Sequence, residues 1–269
     1  MQKEDLLKVT QDIIGVAERV SGKEIELIYN QKMTAYCAVK QARKNMPKHL
    51  IYYSEKSAEM MNALVAHECG HIKRIFALDE SDRKIRVASG ENISIAYSQC
   101  QKDLKMIRRF VPNIDSHWKY IFGRMVTWVT NMPVDVRIEK WLYDFNNDEL
   151  RRAQEKWLDR QITNDVKIGF GSTFKRTNPK VIYDATITLN YSYALCIDSI
   201  LGTDHANKYE KLFDKYEEKA IELIRPIFND ELSDKDITDK CAEMLGLRSW
   251  YTWTNFENVP LDYGSTPPY

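Results

Sequence analysis

The 269-residue sequence predicts an α+β fold, in which a small antiparallel or mixed N-terminal sheet packs on one helix and a mostly helical part follows. Three short runs near the N-terminus have the alternating pattern or the β-branched and aromatic content of strands. They lie between two segments whose apolar residues recur every three or four positions, as in amphipathic helices. A sheet flanked by helices in this way is typical of the α+β class.

The N-terminal elements follow one another in a clear order. Residues 4–21 repeat apolar side chains at helical spacing, and Gly22 follows them at a position where glycine commonly ends a helix. A long helix is predicted over residues 57–78. Between these two helices, strands are expected at 24–29, 34–41 and 49–53.

The rest of the chain is predicted to be mostly helical. A polar loop is expected at 79–90, and a long loop or hairpin at 164–178, which contains two glycines. The segment 182–195 is compatible with strand or helix. Pro133 suits the first turn of a helix, where its missing N–H has no partner to lose. Helices are expected at 93–111, 118–130, 133–145, 148–162, 208–224 and 234–245.

Two regions are predicted from this order. Residues 1–145 form a compact core, and residues 146–269 form a mostly helical extension packed on it. The tail, 248–269, is rich in aromatic residues and proline. Two interpretations of the tail remain open. It packs on the body of the protein because aromatic side chains gain much from burial, or it covers a cleft as a lid.

Composition and charge limit the classes of partner that can be expected. The 39 basic residues equal the 39 acidic ones, so bulk charge does not favour nucleic acid. No apolar run approaches the ~20 residues that span a membrane, and the first residues do not resemble a secretory signal. The five cysteines form no paired motif, which is typical of free thiols in a reducing compartment. We therefore expect a cytoplasmic protein with no nucleic-acid and no membrane partner.

The motif His67-Glu68-Cys69-Gly70-His71 lies within the predicted 57–78 helix. Residues four apart share one helical face, so His67 and His71 can hold one metal ion together. Glu68 can reach a water molecule beside that ion. Zn²⁺ suits two imidazoles and a carboxylate with one open position. Cys69 lies about 200° around the helix from His67 and is expected to be a packing residue.

A third zinc ligand is expected from a second helix, where Asp135 and Glu139 lie four residues apart. Glu139 is favoured as the ligand because its side chain is longer and His₂Glu is a standard catalytic set. Asp135 is the alternative third ligand, or the carboxylate that holds a ligand histidine by its second nitrogen. In the competing interpretation, Asp135 only complements the helix dipole and Glu139 faces solvent.

The HECGH sequence, followed about sixty residues later by an acidic residue on a second helix, resembles the gluzincin branch of zinc metallopeptidases. The element order over residues 1–145 is similar to compact metallopeptidase domains of the ImmA/IrrE type. The resemblance implies a zincin-like fold, His67 and His71 as ligands, Glu68 as general base and an acidic third ligand. Many gluzincins have the ligand Glu first and an acidic residue four later, whereas here Asp135 precedes Glu139.

Two functions are therefore expected from different classes. The first is a zinc metalloendopeptidase that hydrolyses a protein or peptide, bound by strand addition along 34–41. The second is a catalytically silent zincin-fold module that binds or regulates a partner and keeps a structural metal. A closed coordination sphere with four protein ligands would distinguish the second from the first.

Overall fold

The computed structural model describes residues 2–33 and 35–259. The described chain is an α+β structure, 68% helical, with a mixed sheet of three strands. The predicted α+β class, with a small mixed sheet and a mostly helical remainder, is therefore confirmed, and the zincin-like fold stays a prediction. Contacts group the chain into two compact units. Unit 1 contains Met1–Ile85, Ile138–Leu158 and Thr254–Tyr269, and unit 2 contains Arg86–Arg137 and Asp159–Trp253. The division predicted at residue 145 stays a prediction.

Unit 1 begins with the predicted sequence of one helix, three strands and a second helix. Gly22 ends the first helix in the left-handed conformation, with φ of 68°. The second helix is preceded by a 3-10 turn at Glu55–Met60. The elements are α1 (Lys8–Ser21), β1 (Glu24–Tyr29), β2 (Cys37–Lys40), β3 (Lys48–Tyr53) and α2 (Met61–Phe76).

The three strands form a sheet in the order β1-β3-β2. Strand β1 pairs with β3 in parallel, and β2 pairs with β3 antiparallel, with Ala38 opposite Tyr52. Strand β2 is consequently an edge strand of this sheet. Fully buried side chains of the strands and of both helices, such as Ile51, Ile13 and Val65, form the apolar core between sheet and helices.

Most of the remaining elements are helices. The short strands β4 (Lys84–Val87) and β5 (Thr252–Asn255) pair with each other. The prediction of a loop over residues 79–90 is therefore wrong for Lys84–Val87, which form strand β4. The helices are α3 (Gly90–Ile107), α4 (Ile114–Tyr143), α5 (Asp148–Phe170), α6 (Ser172–Thr177), α7 (Lys180–Leu201), α8 (Asn207–Phe213), α9 (Glu217–Ile227) and α10 (Asp234–Met244). None of the helices in the described ranges is long and apolar enough to cross a membrane.

Helix α4 corrects the prediction of two helices separated at Pro133. It runs without a break for 30 residues, with Pro133 inside it. A proline within a helix removes one backbone hydrogen bond, which usually breaks or kinks the helix. Here Val129, Met132 and Val136 are all fully buried on either side of the proline. We infer that this continuous apolar stripe outweighs the lost hydrogen bond.

The long loop predicted at 164–178 is also wrong. Helix α5 extends to Phe170 and helix α6 follows after Gly171. A Cβ atom on Gly169 would lie 2.6 Å from Cδ1 of Ile187. Glycine at this position therefore permits close packing against α7 and does not make a turn. The undecided segment 182–195 is part of helix α7.

The described part of the aromatic tail packs into the protein. Trp250 and Tyr251 have no exposed surface. Trp250 stacks on Phe122 at 5.7 Å between ring centroids, and its Nε1 donates a hydrogen bond to Gln99. Packing, as one of the two interpretations proposed, is therefore confirmed for this part of the tail, and Trp250 and Tyr251 do not form a lid. Residues 260–269 lie outside the described ranges.

Candidate metal centre

Helix α2 places its histidine motif on the border between core and solvent. Val65, Ala66, Cys69 and Ile72 are fully buried and fix this helix against the core of unit 1. His67, Glu68 and His71 are half-buried. The two imidazole rings have centroids 4.9 Å apart and planes at 76°. The spacing of four residues thus brings the two rings to one face of the helix, as predicted.

A carboxylate from helix α4 joins the two histidines. One potential ligand atom from each of His67, His71 and Asp135 lies within 4.8 Å of the other two. All three residues are half-buried. Among the residues that the structure describes, this is the only group of three or more that could hold a metal ion. The division between the two units falls inside α4, and Asp135 is one helical turn before Glu139 on that continuous helix.

Glu139 occupies a different position from the one favoured by the sequence. Its Oε1 lies 2.7 Å from Nδ1 of His67, and its side chain is 1% exposed. Gln154 on helix α5 donates to the other carboxylate oxygen, Oε2, at 2.5 Å and to the Glu139 carbonyl at 3.0 Å. This arrangement fixes the ring of His67 and leaves Nε2 as the nitrogen available for a metal.

Sequence reasoning missed Gln154. It lies on a helix whose exposed face is charged, and its distance from Glu139 in the sequence matches no motif. Only the position of α5 beside α4 reveals its role. Both hydrogen bonds come from the Gln154 amide nitrogen, and Gln154 itself is fully buried. The side chain therefore acts as a fixed donor to the carboxylate that holds His67.

The three other histidines of the chain, His49, His117 and His205, do not belong to the cluster. Nδ1 of His49 accepts a hydrogen bond from the backbone N–H of Ala42 at 2.8 Å. His117 contacts the carbonyl of Thr177 through Nε2 at 2.6 Å. Nδ1 of His205 lies 3.6 Å from the carboxylate of Asp159.

The edge strand β2 lies close to the general-base candidate. Helix α2 contacts β2. Burial raises the pKa of the Cys37 thiol well above its ordinary value, and the neighbouring carboxylate of Glu68 raises it further. Cys37 therefore stays a neutral thiol at physiological pH.

Comparison with protein-family models, with curated proteins and with solved structures finds no match to this chain. The interpretation of the site therefore depends on its geometry and on the chemistry of its side chains.

Proposed function

We propose that this chain is a cytoplasmic zinc-dependent metallopeptidase with a zincin-like active site. The observation that carries the proposal is a group of three potential metal ligands with a further carboxylate hydrogen-bonded behind one of them. His67, His71 and Asp135 converge on a common position, and Glu139 holds the second nitrogen of His67. A carboxylate behind a metal-binding histidine is the usual arrangement in zinc proteins, because it orients the ring and raises its basicity.

The donor set fits zinc. Two imidazoles and one carboxylate supply three ligands, which leaves an open fourth position of the kind found in catalytic zinc sites. We assign Asp135 as the third ligand and Glu139 as the residue that holds His67. This assignment reverses the preference drawn from side-chain length. The half-buried position of the cluster supports access for a substrate.

Each residue has one role in the proposed reaction. Zinc bound at this site supplies a Lewis acid that polarises the scissile carbonyl and acidifies a water molecule. Glu68, next to His67 on α2, takes the proton from the attacking water and later delivers it to the leaving amine. Glu139 and Gln154 keep the imidazole of His67 in one orientation and one tautomer.

The proposed substrate is a protein or peptide segment in extended conformation, paired with the outer edge of β2. The amide of Ser54 donates to the carbonyl of Tyr36 at 3.3 Å. Because peptide groups alternate along an antiparallel pair, Ala38 also directs its N–H and C=O toward β3. Cys37 and Val39 then direct theirs to the outer edge, where an added strand can pair.

The decisive experiment compares wild type with Glu68→Gln. Both proteins should bind one zinc ion per chain, because Glu68 is not a ligand. The variant should no longer cleave the peptides that the wild type cleaves in a proteome-wide cleavage assay. Glu55→Gln, which changes an exposed glutamate shortly before α2, serves as a control and should keep full activity. Zinc content is measured by elemental analysis.

Two results would reject this proposal. If Glu68→Gln cleaves every substrate as well as wild type, Glu68 is not the general base. If wild type binds zinc tightly and cleaves nothing, the chain is instead a silent module of the same fold, with a structural metal.

A further inference from the structure

The C-terminal end of helix α3 and the turn that follows it, residues 102–110, combine positive charge with exposed apolar side chains. Four basic residues occur within eight positions, at Lys102, Lys105, Arg108 and Arg109, against one acidic residue, Asp103. All four are exposed, and within the described ranges none of them forms an ion pair. The neutral net charge of the whole chain therefore conceals a local excess of positive charge.

Two large apolar side chains stand within this basic segment. Phe110 is 61% exposed and Met106 is 57% exposed, the two highest values among the large hydrophobic side chains that the structure describes. Backbone hydrogen bonds from Phe110 and Val111 to the carbonyl of Ile107 continue a helical turn beyond α3. Met106 and Phe110 are thus about one turn apart on the same side of this segment.

The charges and the apolar side chains share one face. At about 100° per residue, Lys102, Lys105, Met106, Arg109 and Phe110 fall within an arc of about 140°. The opposite side of the helix carries the buried side chains Leu104 and Ile107. The face is therefore an outer surface of unit 2, and its side chains do not contribute to the core of that unit.

The single acidic residue of this segment is already engaged. Oδ2 of Asp103 accepts a hydrogen bond from the backbone N–H of Lys180, at the start of helix α7, at 2.7 Å. This contact ties the end of α3 to the start of α7 and engages the half-buried carboxylate of Asp103 with a backbone donor. The outer arc keeps its positive charge.

We propose that this face, Lys102, Lys105, Met106, Arg109 and Phe110, docks on an anionic lipid surface. Cations attract the acidic headgroups, and the two apolar side chains enter the boundary between headgroups and acyl chains. Burial of apolar surface and attraction to anionic lipids add to each other in membrane binding, and both are available on this one face. Nucleic acid would use the cations but offers no apolar layer for Met106. The expectation of no membrane partner rested on spanning segments and net charge, which do not address contact at a membrane surface.

The test is cosedimentation of the full chain with phosphatidylcholine vesicles, with and without phosphatidylserine. Binding should require phosphatidylserine. It should also fall when salt shortens the Debye length from about 10 Å at 0.1 M to about 3 Å at 1 M. Arg109→Gln should weaken the partition coefficient about fivefold, the value of one charge near such a surface. Phe110→Ser should weaken it about tenfold through lost apolar contact.

The chain offers matched controls on helix α9, where Ile221 and Arg225 are exposed among acidic residues. Ile221→Ser and Arg225→Gln should leave vesicle binding unchanged. Absence of binding by wild type, or equal binding to neutral vesicles, would overturn the proposal. An oligonucleotide that binds as tightly, and depends on Arg109, would identify a nucleic-acid surface instead. Self-association without vesicles that Phe110→Ser abolishes would identify contact between two copies.

Discussion

A Cβ atom on Gly70 would lie 2.5 Å from Cγ2 of Ile138. Gly70 stands between the two histidines of the motif, and Ile138 precedes Glu139 on helix α4. The absence of a side chain on residue 70 therefore allows α4 to approach α2 closely enough for Glu139 to reach His67. The glycine of the motif determines the geometry of the site although it contributes no ligand.

We expect Gly70→Ala to destabilise the protein by about 1–3 kcal/mol, the usual cost of overpacking a core, and to weaken zinc binding. Gly123→Ala is the matched control. Gly123 is an exposed interior residue of α4, with no atom within 4 Å of an added Cβ, so alanine there should raise stability by up to about 1 kcal/mol. Urea denaturation measures both changes. If Gly70→Ala is as stable as wild type, the two helices are not held at this distance.

The roles of Asp135 and Glu139 can be separated by metal affinity. Asp135→Asn removes a proposed ligand, whereas Glu139→Gln removes a hydrogen-bonded carboxylate that is expected to contribute about 10–100-fold. Competition with a chelator should therefore show the larger loss of affinity for Asp135→Asn. The opposite order would make Glu139 the ligand, as side-chain length favours.

Gln154 provides a third measurement of the same site. Gln154→Met should lower zinc affinity, because Oε2 of Glu139 loses its amide donor. Gln161→Met, two turns later on the same helix and half-buried, should leave the affinity unchanged. Equal affinities for the two variants would show that Gln154 does not position Glu139.

Acid should destabilise the protein through His49. Burial and the charge of Lys23 lower the pKa of this imidazole from 6.5 to about 4. Between these values the unfolded chain binds more protons than the folded chain, so the free energy of unfolding falls as the pH is lowered. The total loss is about 3 kcal/mol. His49→Asn keeps an acceptor for Ala42 and should flatten this dependence in zinc-free protein. An unchanged slope between pH 6.5 and 4 would assign the effect to other groups.

Proline substitutions can test the proposed substrate edge. Val39 directs its N–H outward in the proposed register, so Val39→Pro should keep the sheet and raise the KM for peptides. Ala38→Pro removes an N–H that pairs with β3, so it should destabilise the fold. Proteolytic kinetics and thermal denaturation distinguish the two effects. Normal kinetics in a folded Val39→Pro variant would exclude pairing of substrate along β2.

The sequence predicted the first eighty residues well because their signals are local. Strand alternation, the apolar spacing of α1 and α2, and Gly22 each depend on neighbours in the chain. Pro133 and Gly169 were misread because their surroundings are set by distant residues. The apolar stripe around Pro133 keeps α4 continuous, and Ile187 explains why residue 169 has no side chain.

The residues of the candidate site also fall into those that local sequence predicts and those that depend on tertiary structure. His67, Glu68 and His71 were found because a helix fixes their spacing, which the sequence contains. The choice between Asp135 and Glu139 depends on how α4 is placed against α2. That placement is a tertiary property, for which side-chain length is no guide. Gln154 acts through two contacts with a single residue of another helix, so no local pattern could reveal it.

Cys69 lies between the two histidines and yet stays outside the metal cluster. It is fully buried, as expected of a packing residue, and burial raises the pKa of its thiol far above the physiological range. Only a thiolate binds soft metals or reacts readily with peroxide. The proposed centre therefore presents imidazole and carboxylate alone. Such a site should exchange zinc for cobalt or manganese more readily than for copper(I), and should keep its metal under oxidative stress.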